Sequence, residues 1–448
     1  MTATLASLAQ DLEAGRTTAV ELVETCLAAI RKEGGEGRAA FVQVNERALD
    51  VAHAMDGLRR AGNAPSRFAG IPVSVKDLFD AAGEVTRAGS IVRSSVAPAG
   101  KDATVISRLR RMGFILIGRT NMSEFAYSGL GLNPHYGTPK SVFERNKGRA
   151  PGGSSSGAAV SVADGMAHAA LGTDTGGSCR IPAAFNRLVG FKPTAERIPR
   201  DGVVPLSTTL DSVGPLARSV GCCAALDSIL AGFDPLTPEA RSVEHLRIAV
   251  PATVALDNLE PEVASGFETL LQTLSRAGAD IVEVRISAFS DALALQANGG
   301  FAAAESYAFH RGDLREKSDM FDPRVLARIG RGANLSAADY IDLGKARSAV
   351  IERASLQLSG FDAVLMPTVP IIPPLLRVLE VDEEFGRLNA LVLRNSSLVN
   401  LIDGCAVSLP AGSPYGPPVG VTIAGLAGDD RRILAISAGI EKLASTSD

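Results

Sequence analysis

The sequence is poor in the residues that build metal centres and disulfide scaffolds. Its five cysteines, Cys26, Cys179, Cys222, Cys223 and Cys405, are odd in number, scattered along the chain and never in a C-x-x-C spacing. This pattern indicates neither a disulfide framework nor a zinc site.

Long apolar runs and a surplus of one charge are lacking as well. No stretch reaches ~18 apolar residues without a charge or a proline, so we expect no membrane span. Near the amino terminus, acids and Gly15 stand where a secretory signal needs a basic end and an unbroken apolar run, which indicates a cytoplasmic protein. With 45 basic and 49 acidic residues the formal net charge is −4. The chain therefore has no basic field for nucleic acid, and small-molecule or protein partners fit better.

Apolar runs of strand length alternate with helical patterns along the 448 residues. Thr18 and Glu21 form a capping box at the start of one helical pattern. Residues 115–117 are an unbroken apolar segment of the kind found in parallel sheets. The alternation predicts α/β layers. Because no composition break or repeat divides the chain, we expect a single large domain over residues 1–448.

The stretch PGGSSSGAAV, residues 151–160, holds three serines between glycines. By itself it fits a linker, a nucleophile turn or half of a catalytic site. Small residues over 157–169 then allow a helix to pack closely on a sheet, and HAALGTDTGGS indicates a strand that runs into a glycine turn at Ser178. Such a helix returns the chain to the sheet, an arrangement that allows the serine cluster and Ser178 to meet in space.

A serine nucleophile needs a base within hydrogen-bond reach. None of the five histidines stands in a motif that suggests catalysis. Residues 153–157 match the G-x-S-x-G pattern of the α/β-hydrolase elbow, but that elbow follows a strand and here the polar SVFERNKGRAP precedes it. Lys76 follows the apolar GIPVSV, and it becomes a useful base if burial lowers its pKa from ~10.4. The alternative is an ordinary surface lysine.

Four segments carry a resemblance to a known family: GIPVSVKD, GRTNMSEFA, PGGSSSGAAVSVADG and LGTDTGGSCRIPAAFNRLVGFKPT. With FDAVLMPTVP and GPPVGVTIAG near the end, in this order, the sequence resembles the amidase signature family of serine hydrolases with a Ser-cis-Ser-Lys triad. The resemblance covers most of the chain. It implies an α/β/α sandwich with a mixed, mostly parallel central sheet and a catalytic core over about 65–220.

Carried over by motif position, the resemblance also assigns roles to single residues. It implies that Lys76 is the base, that Ser154 follows a cis peptide bond and relays the proton, and that Ser178 is the nucleophile. The acyl-enzyme is then hydrolysed by water, and no metal or organic cofactor is required. The implied oxyanion hole consists of the backbone N–H groups of Thr175, Gly176, Gly177 and Ser178.

Residues next to these positions are expected to support them. Asp174 and Arg180 bracket the glycine turn and should hold it as a charge-assisted pair. Ser155 should hydrogen-bond the loop or cap the following helix. Cys179 stands where the family commonly has a β-branched apolar residue. In a strand its side chain would point away from that of the preceding serine, so we expect buried packing and not a nucleophile.

Substrate contacts are less well defined by the sequence. Ala126 and Tyr127, in EFAYSG, match a segment that lines the acyl pocket in the family, and packing of the tyrosine at a strand end is the alternative. Residues 285–345 are expected to supply the other wall. This stretch shows no evident cluster of fixed charges, which favours neutral or aromatic amides over dicarboxylic ones.

We therefore expect an amidase that hydrolyses the C–N bond of a small carboxylic amide through a Ser178 acyl-enzyme, with side activity on esters, anilides or carbamates. One alternative is the glutaminase subunit of a tRNA-dependent amidotransferase, whose motif has Asn where this chain has Leu78. Another is a degenerate binding protein, against which the filled triad positions argue. Homodimers are common among relatives of this family, so a homodimer is expected.

Overall fold

The computed structural model describes residues 3–413 and 415–445. Its strands, numbered along the chain, are β1 (Phe41–Val44), β2 (Pro72–Lys76), β3 (Ile115–Thr120), β4 (Ala169–Asp174), β5 (Val189–Lys192), β6 (Ser212–Ala217), β7 (Arg247–Pro251), β8 (Asp280–Val284), β9 (Ala363–Pro367), β10 (Cys405–Ala411) and β11 (Val419–Gly425). They join into one sheet in the order β1-β3-β2-β4-β6-β5-β10-β11-β9-β7-β8.

Helices fill most of the chain between the strands. They are α1 (Leu5–Glu13), α2 (Ala19–Arg31), α3 (Gly37–Ala40), α4 (Ala48–Arg60), α5 (Thr104–Arg111), α6 (Ser156–Ala163), α7 (Arg180–Phe185), α8 (Val220–Ala231), α9 (Pro261–Arg276), α10 (Ser287–Ala294), α11 (Gly300–Glu316), α12 (Pro323–Gly330), α13 (Ala337–Leu358), α14 (Asp382–Leu401) and α15 (Asp430–Ser445). Within residues 3–413 and 415–445, no helix combines the length and the apolar character needed to cross a membrane.

The directions of the strands correct one expectation. Between the described strands, six pairings are antiparallel and four are parallel. The sheet is therefore mixed, as expected, but the prediction that it is mostly parallel is wrong. Strand β3 is parallel to β2 and antiparallel to β1. An unbroken apolar run indicates a strand that is buried on both faces of the sheet. A central antiparallel strand covered on both faces has the same pattern as a parallel one, so the pattern does not indicate strand direction.

Helices cover both faces of this sheet. In β9, Leu365 belongs to an apolar cluster with residues of α5, α8 and α15, whereas its neighbour Val364 belongs to a cluster with residues of α10, α13 and α14. Successive side chains of a strand point to opposite faces, so the sheet lies between two helical layers. This confirms the α/β/α sandwich.

The predicted capping box is present at the start of α2. The Thr18 hydroxyl accepts a hydrogen bond from Glu21 N–H at 3.1 Å, and the Glu21 carboxylate accepts one from Thr18 N–H at 3.0 Å. These contacts satisfy two backbone donors that the first turn of a helix leaves without intrahelical partners.

The topology brings two strand ends together. Strands β2 and β4 are neighbours and run parallel, so their carboxyl ends, Lys76 and Asp174, lie at the same edge of the sheet. Helix α6 packs against both strands. Its first turn needs glycine, because a Cβ on Gly157 would lie 2.2 Å from the carbonyl oxygen of Ala40. The serines that precede α6 are thereby held beside the ends of β2 and β4.

Candidate active site

Lys76 is buried at the carboxyl end of β2. Its Nζ donates hydrogen bonds to Ser154 Oγ at 2.7 Å and to Thr173 Oγ1 at 2.8 Å. Burial lowers the pKa of Lys76 to about 8, although the nearby charges of Asp211 and Asp174 act to raise it. A larger fraction of this amine is therefore neutral near pH 7 than for a lysine in water. The alternative of an ordinary surface lysine is wrong.

Ser154 lies in the loop before α6, and the peptide bond between Gly153 and Ser154 is cis, as the resemblance implies. Backbone hydrogen bonds hold the loop on either side of this bond. Gly153 N–H donates to Gly129 O at 2.8 Å, and Ser123 N–H donates to Ser154 O at 3.1 Å. The Ser154 hydroxyl is buried, with the Lys76 amine as its donor.

Ser178 lies in the turn after β4 and lines a cavity. Its carbonyl oxygen accepts a hydrogen bond from Ser155 N–H at 3.3 Å, so the two serine segments are joined through their backbones. Within the described residues the Ser178 hydroxyl has no hydrogen-bond partner. The structure therefore brings Lys76, Ser154 and Ser178 into one site. Lys76 and Ser154 are joined by a hydrogen bond, and Ser178 lines the cavity.

Asp174 holds the glycine turn in place. Its Oδ1 accepts from Gly177 N–H at 2.8 Å, and its Oδ2 accepts from Cys179 N–H at 3.1 Å. Arg180 donates to the same two oxygens at 2.9 and 3.0 Å, and both side chains are buried. Burial alone would raise the pKa of Asp174, but the Arg180 guanidinium outweighs burial and holds this pKa well below its ordinary range. The expected charge-assisted pair is confirmed.

The four expected oxyanion donors differ in their hydrogen bonding. The N–H of Gly177 is occupied by Asp174, whereas those of the other three residues have no hydrogen-bond partner in the part of the chain that the structure describes. Gly177 has a φ of 127°, and an added Cβ would lie 2.1 Å from Ser396 Oγ, so this position requires glycine. At Gly176 the nearest atom would lie 3.6 Å from an added Cβ. Position 177 therefore requires glycine, whereas position 176 has room for a Cβ.

The structure settles the surroundings of Ser155 and Cys179. Ser155 precedes α6 but makes no side-chain capping bond, and its Oγ donates instead to Thr173 O at 3.4 Å. The capping alternative is therefore wrong, and the hydrogen bond to neighbouring backbone is found. Cys179 is buried, with Sγ 3.5 Å from Gly214 O, and burial raises the pKa of its thiol far above the usual range. Its packing role is confirmed, but it lies in the turn before α7 and not in a strand.

A cavity of about 700 Å³ opens onto Ser178. Ala126 and Tyr127 line it, as expected for pocket residues. The Tyr127 ring also packs against the Arg328 guanidinium, whose central carbon lies 4.9 Å from the ring centroid. Six leucines form much of the apolar lining: Leu206, Leu210, Leu293, Leu391, Leu393 and Leu401.

Four arginines line the same cavity: Arg328, Arg331, Arg387 and Arg394. The first two lie within residues 285–345, so the expectation that this stretch brings no cluster of fixed charges is wrong. The spacing of seven residues places Arg387 and Arg394 on one face of α14, and Arg331 directly follows α12, three residues after Arg328. That signal is present in the sequence, but it does not show that the two segments meet at one cavity.

Sequence reasoning also misses two polar residues beside the lysine. Thr173 is the second acceptor for Lys76 Nζ, and Asp211 accepts a hydrogen bond from Thr175 Oγ1 at 2.5 Å. Burial raises the pKa of Asp211 to about 6. Thr173 lies in β4 and Thr175 directly follows this strand, but neither position by itself indicates these contacts in the sequence.

Metal ligands and histidines do not converge on this cavity. Within residues 3–413 and 415–445, no group of three or more His, Cys, Asp or Glu side chains is arranged to hold a metal ion. None of the histidines lines the cavity among its described residues. His135 instead hydrogen-bonds Glu124 at 2.9 Å, and His310 packs against Phe125.

Comparison with known proteins identifies the family. A model of the Amidase family matches residues 21–434, and the chain therefore belongs to this family. A relative from Comamonas testosteroni, 2-amino-5-chloromuconic acid deaminase, is 35% identical over 98% of this chain and 96% of its own length. A crystal structure of an amidase is 33% identical, with a TM-score of 0.89 and coverage of 98% of this chain and 99% of the other.

Relatives of this chain also include proteins that belong to multi-subunit enzymes by name. A glutamyl-tRNA(Gln) amidotransferase subunit from Chloroflexus aggregans is 32% identical over 96% of this chain and 94% of its own length. The family and the names of the relatives together show that the chain is an amidase signature enzyme that hydrolyses amide C–N bonds.

Proposed function

We propose that Ser178 attacks the carbonyl carbon of a small carboxylic amide and forms an acyl-enzyme, with Lys76 as the base and Ser154 as the proton relay. The observation that carries this proposal is the 2.7 Å hydrogen bond between Lys76 Nζ and Ser154 Oγ in a buried site. The low pKa of the lysine, about 8, supports the role because a general base must be neutral to accept a proton.

The proposed reaction proceeds in two halves. Neutral Lys76 takes the proton of Ser154 while Ser154 takes that of Ser178, whose Oγ bonds to the carbonyl carbon. The relay then runs in reverse and protonates the nitrogen as the C–N bond breaks. Water hydrolyses the resulting ester through the same relay, which releases the acid and restores the serine. The balance is amide plus water to acid plus amine or ammonia.

Negative charge develops on the carbonyl oxygen in each half of the reaction. The proposed donors to this oxygen are the backbone N–H groups of Thr175, Gly176 and Ser178, which have no hydrogen-bond partner among the described residues. One oxyanion-hole donor contributes about 2.7–4 kcal/mol where it has been removed from another hydrolase. The contacts of Asp174 with the turn support this role because they fix the backbone before substrate binds.

We propose a stand-alone amidase in preference to a glutaminase subunit. Leu78 at the position of the glutaminase asparagine supports this choice, and so does the cavity, where no Asp or Glu among the described lining residues could pair with the ammonium group of glutamine. Ammonia release agrees with the name of the Comamonas testosteroni relative, a deaminase. Esters, anilides and carbamates are proposed as side substrates because the same serine attack serves other leaving groups.

A homodimer is proposed from the family resemblance alone. Analytical ultracentrifugation measures the oligomeric state.

Replacement of the nucleophile tests the mechanism. Ser178→Ala should lower kcat on any amide substrate by about 10⁴-fold or more, since no other group can form the acyl-enzyme. Ser156→Ala is the matched control, because its buried hydroxyl has no hydrogen-bond partner within the described residues, and it should keep near-wild-type turnover. In the wild-type enzyme, mass spectrometry after an acylating or phosphonylating probe should find the adduct on Ser178. Wild-type-like turnover by Ser178→Ala, or an adduct on Cys179, would refute the mechanism.

A further inference from the structure

The arginines of the cavity come from two separate parts of the chain. Arg328 lies in α12 and Arg331 directly follows that helix, whereas Arg387 and Arg394 lie two turns apart in α14. All four line the cavity that Ser178 also lines. A site for the acyl group of an amide is thus bordered by several fixed positive charges.

Three of these arginines have no carboxylate partner in the part of the chain described. Arg387 pairs with Glu384 at 2.7 Å and is mostly exposed. Arg394 donates to Asn395 Oδ1 at 2.9 Å and to Ala255 O at 3.4 Å, and Arg328 donates to the carbonyl oxygen of Tyr127. The Arg331 side chain makes no hydrogen bond or ion pair with a described residue. No Asp or Glu is found among the described residues that line the cavity.

The two fully buried arginines among the described residues, Arg119 and Arg180, have carboxylate partners. Arg119 pairs with Asp77 at 2.7 Å, and Arg180 pairs with Asp174 at 2.9 Å. Such pairing is expected because an unpaired charge is costly to remove from water. Partly buried arginines that donate only to carbonyl oxygens also occur elsewhere, as at Arg108, Arg187 and Arg218. The cavity differs because several arginines without a carboxylate partner among the described residues meet at one pocket that Ser178 also lines, and a bound anion can pair with them.

The electrostatics agree with this interpretation. Burial lowers the pKa of Arg328, and the positive charge of Arg331 lowers it further. Burial likewise lowers the pKa of Arg394. Asp322 and Asp257 act in the opposite direction on these two arginines, but neither forms an ion pair with them among the described contacts. An anion bound in the cavity would supply the negative charge that these two arginines lack among the described residues.

We propose that the substrate is an amide that carries a carboxylate in addition to the scissile group, a monoamide of a short dicarboxylic acid, bound through Arg328, Arg331 and Arg394. This inference rests on the proposed function, since it places the amide at Ser178. The planar guanidinium fork matches a carboxylate through two parallel hydrogen bonds. The leucine lining of the cavity suits the methylene chain between the two ends of such a substrate.

The same cavity disfavours a substrate with a free amino group. An α-ammonium would lie among arginines, with no acidic side chain to pair with it among the described lining residues. Glutaramic acid and glutamine share the amide, the carboxylate and the chain length, and they differ only in this ammonium group. Pentanamide has the same chain length and lacks the carboxylate. These three compounds therefore separate the contributions of the two charges.

The test measures kcat/KM for these three amides, with the succinic and adipic monoamides as length variants. We expect the best monoamide to exceed pentanamide by at least about tenfold, and glutaramic acid to exceed glutamine by a similar factor. Arg331→Met should move the ratio of glutaramic acid to pentanamide toward one, because this side chain has no internal partner whose loss would disturb the fold. Arg276→Met, an exposed arginine at the end of α9 and outside the cavity, is the control with the same change of charge and should keep the wild-type ratio.

Binding to the Ser178→Ala protein, measured by calorimetry, keeps the test independent of turnover. Saturable binding of the monoamides that weakens in the Ser178→Ala, Arg331→Met double variant supports the proposal. A preference for pentanamide or glutamine, or the lack of both turnover and binding for all three monoamides, overturns it. If Ser178→Ala abolishes hydrolysis while pentanamide is preferred, the mechanism stands and only the substrate class fails. Full activity of Ser178→Ala would refute the mechanism instead.

Discussion

The two sides of the cavity use charged residues in opposite ways. On the sheet side, Asp174 and Arg180 are buried, paired with each other and bonded to the glycine turn. On the helical side, Arg328 and Arg394 carry charge without a carboxylate partner among the described residues. The internal ion pair fixes the backbone of the glycine turn before substrate binds. An arginine without an internal carboxylate partner can instead form an ion pair with a bound ligand. The contrast separates the groups proposed for the reaction from those proposed for substrate selection.

After the loss of Ser178 itself, removal of the base should have the largest effect on activity. Lys76→Met keeps much of the side-chain volume and removes the amine, so we expect kcat/KM to fall by about 10²–10⁴-fold, the usual contribution of general acid–base catalysis. The loss should be equal for charged and uncharged amides, unlike that of a cavity arginine variant. A ratio of glutaramic acid to pentanamide that changes in Lys76→Met would contradict this division.

The pH dependence of the wild-type enzyme reports on the same residue. The active form of Lys76 is neutral, so kcat/KM should fall as the pH decreases below the pKa of about 8 and level off above it. A rate profile from pH 5 to 10 measures this limb. A profile that stays flat from pH 6 to 9 would argue against Lys76 as the base.

The buried pair on the sheet side should dominate stability. Arg180→Met leaves Asp174 charged and buried without its main partner, and breaking a buried pair in this way costs about 3–5 kcal/mol. Arg387→Met removes an exposed arginine whose pair with Glu384 lies at the surface, so it should change the free energy of unfolding little. Urea unfolding of both variants compares the two sides directly. Equal stability losses would contradict the distinction between structural and available charge.

A smaller effect should separate two adjacent glycines. Gly177→Ala would bring a Cβ to 2.1 Å from Ser396 Oγ at a φ of 127°, and a strained backbone of this kind costs about 1–3 kcal/mol. Gly176→Ala has open space by the same measure, with 3.6 Å to the nearest atom, and should retain the wild-type Tm. Thermal unfolding of the pair measures the difference. If Gly176→Ala were the less stable variant, the described geometry of the turn would be wrong.

Much of the sheet side could be predicted from the sequence. The capping box at Thr18 follows from local contacts, and β2 and β4 follow from short apolar runs. The motifs around Lys76, Ser154 and Ser178 pointed to one site because these segments are short and the resemblance fixes their order. The pairing of Asp174 with Arg180 was predictable for the same reason, since the two lie six positions apart.

The helical side was harder to predict because its residues are distant in the sequence. Arg394 belongs to an ordinary pattern of α14, and Arg331 directly follows α12. Nothing local indicates that these two segments border one cavity. The prediction of a mostly parallel sheet was wrong for a related reason. A buried strand has the same apolar pattern whether its neighbours run parallel or antiparallel.

The sequence by itself determined the membership of the amidase signature family, the residue types of the candidate triad and the glycines of its turn, because short motifs encode local conformation and chemistry. Only the tertiary structure decided that the Lys76 amine is buried against Ser154 and that Gly177 N–H is occupied by Asp174. It also decided that arginines with no carboxylate partner among the described residues line the cavity. The burial of a side chain and its charged partners depend on which distant segments of the chain come into contact. The pKa of a residue and the substrate preference of a cavity therefore follow from the tertiary contacts and not from the local sequence.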